Sequence, residues 1–347
     1  MDVRRLVLVF PCAILAAAWG GAQTAAELKL AGTVLVADRK ADSITEPVKC
    51  DSQSNIYAQA GRGSERFSRV PIIKVSPDGE ATVFPLPRLQ GNTLDVLGFD
   101  PTAGSGVVML TVDSDGHHYI ETYDDGAEFE SRFALPPELY PMQIAASSDG
   151  KVLVSGLYST AAGPGAEKTA RPFAGIFGRS GRLEREIEMA GDRLRNEDGT
   201  LREAGLGTGP NGKPDRYNLS GTSVQSSVDG NLIFSRLSSG GPIYVVSPAG
   251  FVLNQFDPPS IPGAKLRSVT VTPSGLAALY TEEKAGGAQG EISDVYISLL
   301  DAQSGEEQAR FHHSSWELGA SLACYGKGVF TFLTTDEDGR LELARAK

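Results

Sequence analysis

A unit of four short apolar stretches, joined by polar turns, recurs six times between residue 43 and the C-terminus. The clearest copy is residues 47–85, PVKCDSQSNIYAQAGRGSERFSRVPIIKVSPDGEATVFP. Second stretches read NIYAQA (55–60), VVMLTV (107–112), VLVSGL (152–157), LIFSRL (232–237), LAALYT (276–281) and VFTFLT (329–334). Such runs of β-branched and aromatic residues, bounded by turn residues, predict strands. Third stretches are followed by turns such as Pro77-Asp78-Gly79 and Arg179-Ser180-Gly181. Glycine recurs there because a tight turn needs positive φ, which glycine reaches without a Cβ clash.

A period of about 40–50 residues with four strands per unit predicts a β-propeller. The sixth unit ends after its third strand, and residues 28–37 (LKLAGTVLVA) supply a spare strand. The expectation is therefore all-β: six four-stranded blades, the last closed by the N-terminal strand, which leaves no terminal edge open. One stretch breaks the spacing. Residues 190–218 are charged, glycine-rich and without apolar period; they read as an inserted loop, the alternative being a degenerate seventh blade.

Residues 1–22 have the order of a signal peptide: Arg4 and Arg5, an apolar run over 6–19, then Gly20-Gly21-Ala22. The run is short of the roughly 20 residues of a membrane span. The expected mature protein is one domain, residues 23–347, secreted or periplasmic, with no membrane span after cleavage. A net charge of −11 without any basic cluster excludes nucleic acid as a partner.

The phrases SNIYA…IIKVSPDGE, DGKVLVSG and DGNLIFS…IYVVSPAG resemble six-bladed propellers related to NHL repeats and to the gluconolactonase/regucalcin group. The resemblance spans most of residues 43–347. For the gluconolactonase group it implies a divalent cation held by a Glu before the first inner strand, by Asn residues and by a later Asp. Glu46 matches the first ligand and Asn92 is a candidate for the second. At the later positions this chain carries Met142 and Thr222. A hard cation needs several oxygen ligands, carboxylates among them, so the chain departs from that pattern.

In such a blade the loops after the second and fourth strands share one face. Long second-to-third loops are expected at 61–70, 158–172 and 282–294, and the 190–218 insertion follows a fourth strand, so one loop-rich face carries them all. Binding usually resides on such loops. The insertion is expected to cover the channel mouth in part. Polar residues near the starts of inner strands are the channel-mouth candidates: Glu46, Asn92, Asp95, Gln143, Thr222, Gln225, Arg267 and Glu317. Cys50 and Cys324 occupy similar positions in the first and sixth units, adjacent if the ring closes; they read either as a disulfide staple or as two buried thiols. The pairs His117-His118 and His312-His313 point to opposite strand faces and chelate no common ion. The leading functional reading is a non-catalytic module binding protein or carbohydrate through the loop-rich face. The alternative is a metal-assisted hydrolase or lyase in the channel, using Glu46, Asn92 and Asp95.

Overall fold

The computed structural model describes residues 25–41, 43–61, 66–161, 168–192, 194–202, 216–236, 241–284, 291–314, 318 and 322–347; of residues 37–39, 46, 161 and 168 it describes the backbone path only. The expected signal peptide at 1–22 lies outside them. The described residues form six blades of four antiparallel strands, each ordered from an inner to an outer strand, one of them extended by a fifth strand, and two two-stranded hairpins beside them. Blade one consists of Ser43–Cys50, Ile56–Gly61, Ile72–Val75 and Ala81–Val83. Blade two is Asp95–Pro101, Val107–Val112, His118–Tyr123 and Phe129–Ala134. Blade three is Leu139–Ala146, Val152–Ala161, Lys168–Phe177 and Leu183–Glu186. Blade four is Ser223–Ser226, Leu232–Ser235, Ile243–Val246 and Val252–Phe256. Blade five is Ala264–Thr272, Gly275–Glu283, Ile292–Leu300 and Glu307–Ser314. Blade six is Cys324–Gly326, Val329–Thr335 and Arg340–Ala346, completed on its outer edge by Leu30–Lys40.

The closing strand does more than its sequence predicts. Ala26 and Glu27 pair in parallel with Phe311 and His312 on the outer edge of blade five, before the chain crosses to blade six. The N-terminal segment thus ties blade five to blade six. Both elements cover edges that would otherwise expose unpaired backbone groups.

The core is a ring of inter-blade layers. Side chains from blades one and two (Tyr57, Phe84, Met109), two and three (Leu110, Val154, Phe173), three and four (Leu153, Phe234, Val246), four and five (Ile233, Ile243, Leu276), five and six (Leu279, Phe330, Phe332), and six and one (Leu343, Cys324, Ile56) each form a buried cluster. A fully buried Phe or Leu contributes about 1.5–3 kcal/mol, so every blade depends on both neighbours. The turn at Gly79 adopts φ +88°, as its position in a third-to-fourth turn requires.

Two expectations change at the loop-rich face. Most of 158–172 and part of 282–294 are strand rather than loop: the ladder of blade three continues through Tyr158↔Arg171 to Ala161↔Lys168, and that of blade five to Glu283↔Ile292. Cross-strand contacts account for the extension in blade three. The Thr160 and Thr169 hydroxyls lie 3.2 Å apart and the Arg171 guanidinium stands 5.4 Å from the Tyr158 ring centroid. The second change concerns the insertion. A two-residue hairpin, Ala190–Gly191 with Tyr217–Asn218, closes its base. Residues 194–202 then run along the outer strand of blade four, where the Arg195 N–H donates to the Val252 carbonyl (2.9 Å). Arg195 also lies over the Phe251 ring. The insertion's described residues cap an outer edge and add no seventh blade; residues 203–215, on which the expected cover of the channel mouth falls, lie outside the described residues.

Candidate functional site

The inner strands converge on a channel whose backbone edges have no further strand to pair with. Side chains from neighbouring blades satisfy several of them. The Val224 N–H donates to Gln143 Oε1 (2.8 Å), and the Val271 N–H donates to Gln225 Oε1 (3.0 Å). Gln225 Nε2 donates to the Val269 carbonyl (2.6 Å). The Ala146 N–H donates to Asp100 Oδ2 (2.7 Å). These bonds join blade three to four, four to five and two to three. Buried backbone groups must find partners, and glutamine and aspartate reach far enough to supply them.

Blades one and two are joined by a buried ion pair, Lys49 Nζ to Asp100 Oδ1 at 2.5 Å, with side chains 8% and 4% exposed. Burial pushes the Asp100 carboxyl up, against the Lys49 ammonium and the Ala146 amide. Lys49 also stands 5.9 Å from the Phe99 ring centroid. Blades six and one are joined by the Cys50–Cys324 disulfide, whose Cα atoms are 5.5 Å apart.

Above this ring opens a cavity of about 460 Å³ lined by blades one to five, from Thr45 of blade one to Thr270 of blade five, and by Leu322 just ahead of blade six. Its walls are largely aliphatic: Val48, Val96, Ile144, Val224 and Val269. Polar side chains from blades one, three, four and five share the lining, with Lys49, Gln59, Gln143, Ser223, Ser268 and Thr270 among them. Lys49 also borders a smaller cavity of about 100 Å³ farther along the channel, so it stands between the two.

Three large apolar side chains form a collar at this cavity while remaining exposed: Phe67 (47%), Leu97 (46%) and Met142 (57%). Each is placed by a separate device. Phe67 lies on the short 3-10 turn Phe67–Arg69. Asp95 anchors that turn, accepting from the Ser68 hydroxyl (2.9 Å) and pairing with Arg69 and Arg66. Against the burial that would raise it, Arg69, Ser68 and Arg66 hold the Asp95 carboxyl below the usual range. Leu97 is the extra residue of a bulge: Val96 pairs with Thr111 and Gly98 with Leu110, leaving Leu97 between them. Met142 is the extra residue of the matching bulge in blade three, between Pro141↔Gly156 and Gln143↔Ser155. A β-bulge re-aims one side chain and bends the strand. Gly156 makes the second bulge feasible, since a Cβ there would meet the Tyr140 carbonyl oxygen at 2.1 Å. Blade five carries a bulge at the same level, leaving Arg267 as its extra residue.

The candidates named from sequence divide accordingly. Gln143 and Gln225 line the cavity but lend amide groups to neighbouring strands. Asp95 stands behind the collar, holding Phe67's turn. Arg267 donates to the Thr281 hydroxyl (2.6 Å) and lies 3.6 Å from Glu283, toward the blade five hairpin. The Thr222 hydroxyl is buried and donates to the Leu219 carbonyl (2.6 Å). Asn92 is exposed on the hairpin Arg88–Leu89/Asn92–Thr93, which receives a bond from Arg132 of blade two's outer strand. It is therefore at the rim rather than at the channel. The Glu46 side chain and Glu317 lie outside the described residues. Neither Asn92 nor Asp95 lines the cavity, whereas Thr45 and Pro47, on either side of Glu46, do.

Elsewhere, Asp113, Asp115 and His117 bring one ligand atom each within 4.8 Å. Asp113 there accepts from the Asp115 and His117 N–H groups (2.9 Å each), the same bond pattern that Asp124 and Asp336 use to close their turns. No described helix is long and apolar enough to cross a membrane.

No protein-family model matches the chain, and no curated protein matches it in sequence. Solved structures resemble it in shape. A protein of unknown function from Bacteroides caccae is 11% identical, with 79% of this chain and 82% of that one covered, at a TM-score of 0.42. An aldose sugar dehydrogenase from Streptomyces coelicolor is 12% identical, covering 94% and 99%, at 0.42. A gluconolactonase from Xanthomonas campestris is 11% identical, covering 92% and 99%, at 0.40. The six-bladed propeller assignment itself rests on the sheet order and ring closure described above.

Proposed function

We propose that this chain is a non-catalytic binding module that acts through its loop-rich face, with the channel mouth as its site. The observation that carries the reading is the make-up of the cavity: an exposed apolar collar over walls that include many aliphatic side chains. Metal-assisted hydrolysis needs oxygen ligands around an open coordination position, and general acid–base catalysis needs a titratable group free to exchange its proton. The charged group that does line the cavity, Lys49, is engaged with Asp100. Binding sites, by contrast, are mostly apolar clefts with a few placed polar groups. The reading includes export by residues 1–22, which the Cys50–Cys324 disulfide supports, since such bonds persist in oxidising compartments.

The test is the melting temperature of residues 23–347 with calcium, magnesium, zinc or manganese and with a chelator. A bound metal at 100 times its Kd stabilises the native state by about 2.7 kcal/mol. With an unfolding entropy of about 0.7 kcal/mol/K for a chain of this length, that is a rise of about 4 °C. The reading predicts no metal-dependent rise. A rise reversed by chelator replaces it with the metal-assisted enzyme and directs the work to hydrolase and lyase substrates.

A further inference from the structure

Resting on that reading, we infer that the cavity at the channel mouth takes a neutral, largely apolar small molecule with a hydrogen-bond-accepting oxygen at its inner end. The volume, about 460 Å³, falls within the roughly 300–1,000 Å³ of small-molecule sites. The collar shows investment in an apolar occupant. Phe67, Leu97 and Met142 come from three blades or their loops, and each is held out from the core by its own local device: an anchored turn, a bulge, and a bulge over a glycine.

The polar groups decide the head. Lys49 has three N–H donors, and Asp100 is its one hydrogen-bond acceptor among the described residues. Gln143 has given its amide oxygen to the Val224 N–H, which leaves its NH₂ group as donor. Thr270 and Ser268, of blade five, add hydroxyls to the lining. Lys49 and Gln143 thus offer donors without a free acceptor of their own, so the ligand brings an oxygen acceptor. Charge complementarity makes that oxygen neutral: the Lys49 charge is already matched by Asp100 at 2.5 Å, leaving no net positive charge for an anion. A sugar fits poorly, because aliphatic walls would strand its many hydroxyls without partners. The class is a long-chain alcohol, ketone, ester or terpenoid-like molecule.

The experiment titrates residues 23–347 with N-phenyl-1-naphthylamine, a neutral apolar fluorophore, at pH 7.5. The expected result is a saturable one-to-one enhancement, weakened at least tenfold by Leu97→Asp and by Met142→Asp. Both positions are exposed, and the melting curves of the variants verify their folding. Leu183→Asp, an exposed leucine on the outer strand of blade three, leaves binding unchanged. Decan-1-ol and methyl decanoate displace the probe at concentrations at least tenfold below ionised decanoate, and glucose does not displace it. Non-saturable binding, or binding indifferent to the two collar variants, overturns the inference. So does displacement by decanoate as effective as by decanol, or displacement by glucose. If any of these occurs while the melting temperature stays metal-independent, the ligand class falls and the binding-module reading stands. A chelator-reversible metal shift overturns that reading itself.

Discussion

Breaking the Cys50–Cys324 bond should loosen the ring at its only covalent closure among the described residues. The two cysteines are 274 residues apart in sequence. In the chain-entropy treatment a loop of that length costs the unfolded state about 19 cal/mol/K, a ceiling of about 5.6 kcal/mol at 25 °C. The expected loss is smaller, about 2–4 kcal/mol, because the unfolded chain is not a random coil. The ring also keeps its non-covalent closure: Leu30–Lys40 stays paired with Arg340–Ala346, and the six–one cluster around Leu343 and Ile56 stays buried. With an unfolding entropy of about 0.7 kcal/mol/K, the melting temperature should fall by about 3–6 °C. The assay compares oxidised protein, protein in a phosphine reductant, and a Cys50→Ala/Cys324→Ala variant. The reductant should lower the first to the level of the third and leave the third unmoved. Two titratable thiols in oxidised, denatured protein, or a melting temperature indifferent to reductant, would refute the staple.

Three further outcomes follow from the same geometry. Lys49→Met strands the Asp100 carboxylate in a buried site and should cost about 3–5 kcal/mol in urea unfolding. Lys49→Met with Asp100→Asn should recover much of that, and an equal loss in single and double variants would contradict the pair. Gly156→Ala places a Cβ against the Tyr140 carbonyl, so it should cost about 1–3 kcal/mol and weaken probe binding through the displaced Met142 bulge; unchanged stability and binding would contradict the bulge. The Ser304 N–H and hydroxyl hold the Asp301 carboxyl below its usual range, and the Arg340 backbone N–H and guanidinium do the same for Asp336. Depressed carboxylates stabilise above the unfolded pKa, about 3.9, and lose that contribution as pH falls through their lower folded values. The melting temperature attributable to these turns should hold from pH 7 to 5 and decline below about pH 4. Asp301→Asn with Asp336→Asn should make that decline shallower, and an identical acid profile in the variant would contradict the assignment.

The repeat made the architecture legible because strand and turn chemistry are local. Val107–Val112 or Leu232–Ser235 declare themselves by composition, and the missing fourth strand of the last unit pointed to the N-terminus. Cys50 and Cys324 were placed together by the same counting. The site was far less legible. Period-two reading assigns Leu97 and Met142 to a face without knowing that a bulge shifts the register at each. Nothing local marks a bulge except a glycine on the facing strand, and Gly156 is the one signal that could have been followed. Gln143 and Gln225 read from the sequence as ligand groups, whereas their amides bond the backbone of neighbouring blades. Inner strands have an edge with no strand beyond it, and that topological fact turns their amides into fasteners between blades. Nothing local links Lys49 to Asp100, 51 residues on; only ring packing shows that the two stretches meet. Charge and glycine content likewise do not reveal that Leu194, Tyr217 and Leu219, at the two ends of the insertion, bury themselves against blades three and four.

The channel mouth as binding site is tested most directly by the methionines. The sequence has four, Met1, Met109, Met142 and Met189, and the first falls within the expected signal peptide. Met109 is buried in the layer between blades one and two, Met189 packs on the layer between blades three and four, and Met142 stands exposed at the cavity. In a carbon-13 methyl spectrum of residues 23–347 labelled at methionine, titration with N-phenyl-1-naphthylamine should shift the Met142 resonance in a saturable way and leave Met109 and Met189 in place. Saturable binding with Met142 unmoved, or with Met189 moving instead, would contradict the account.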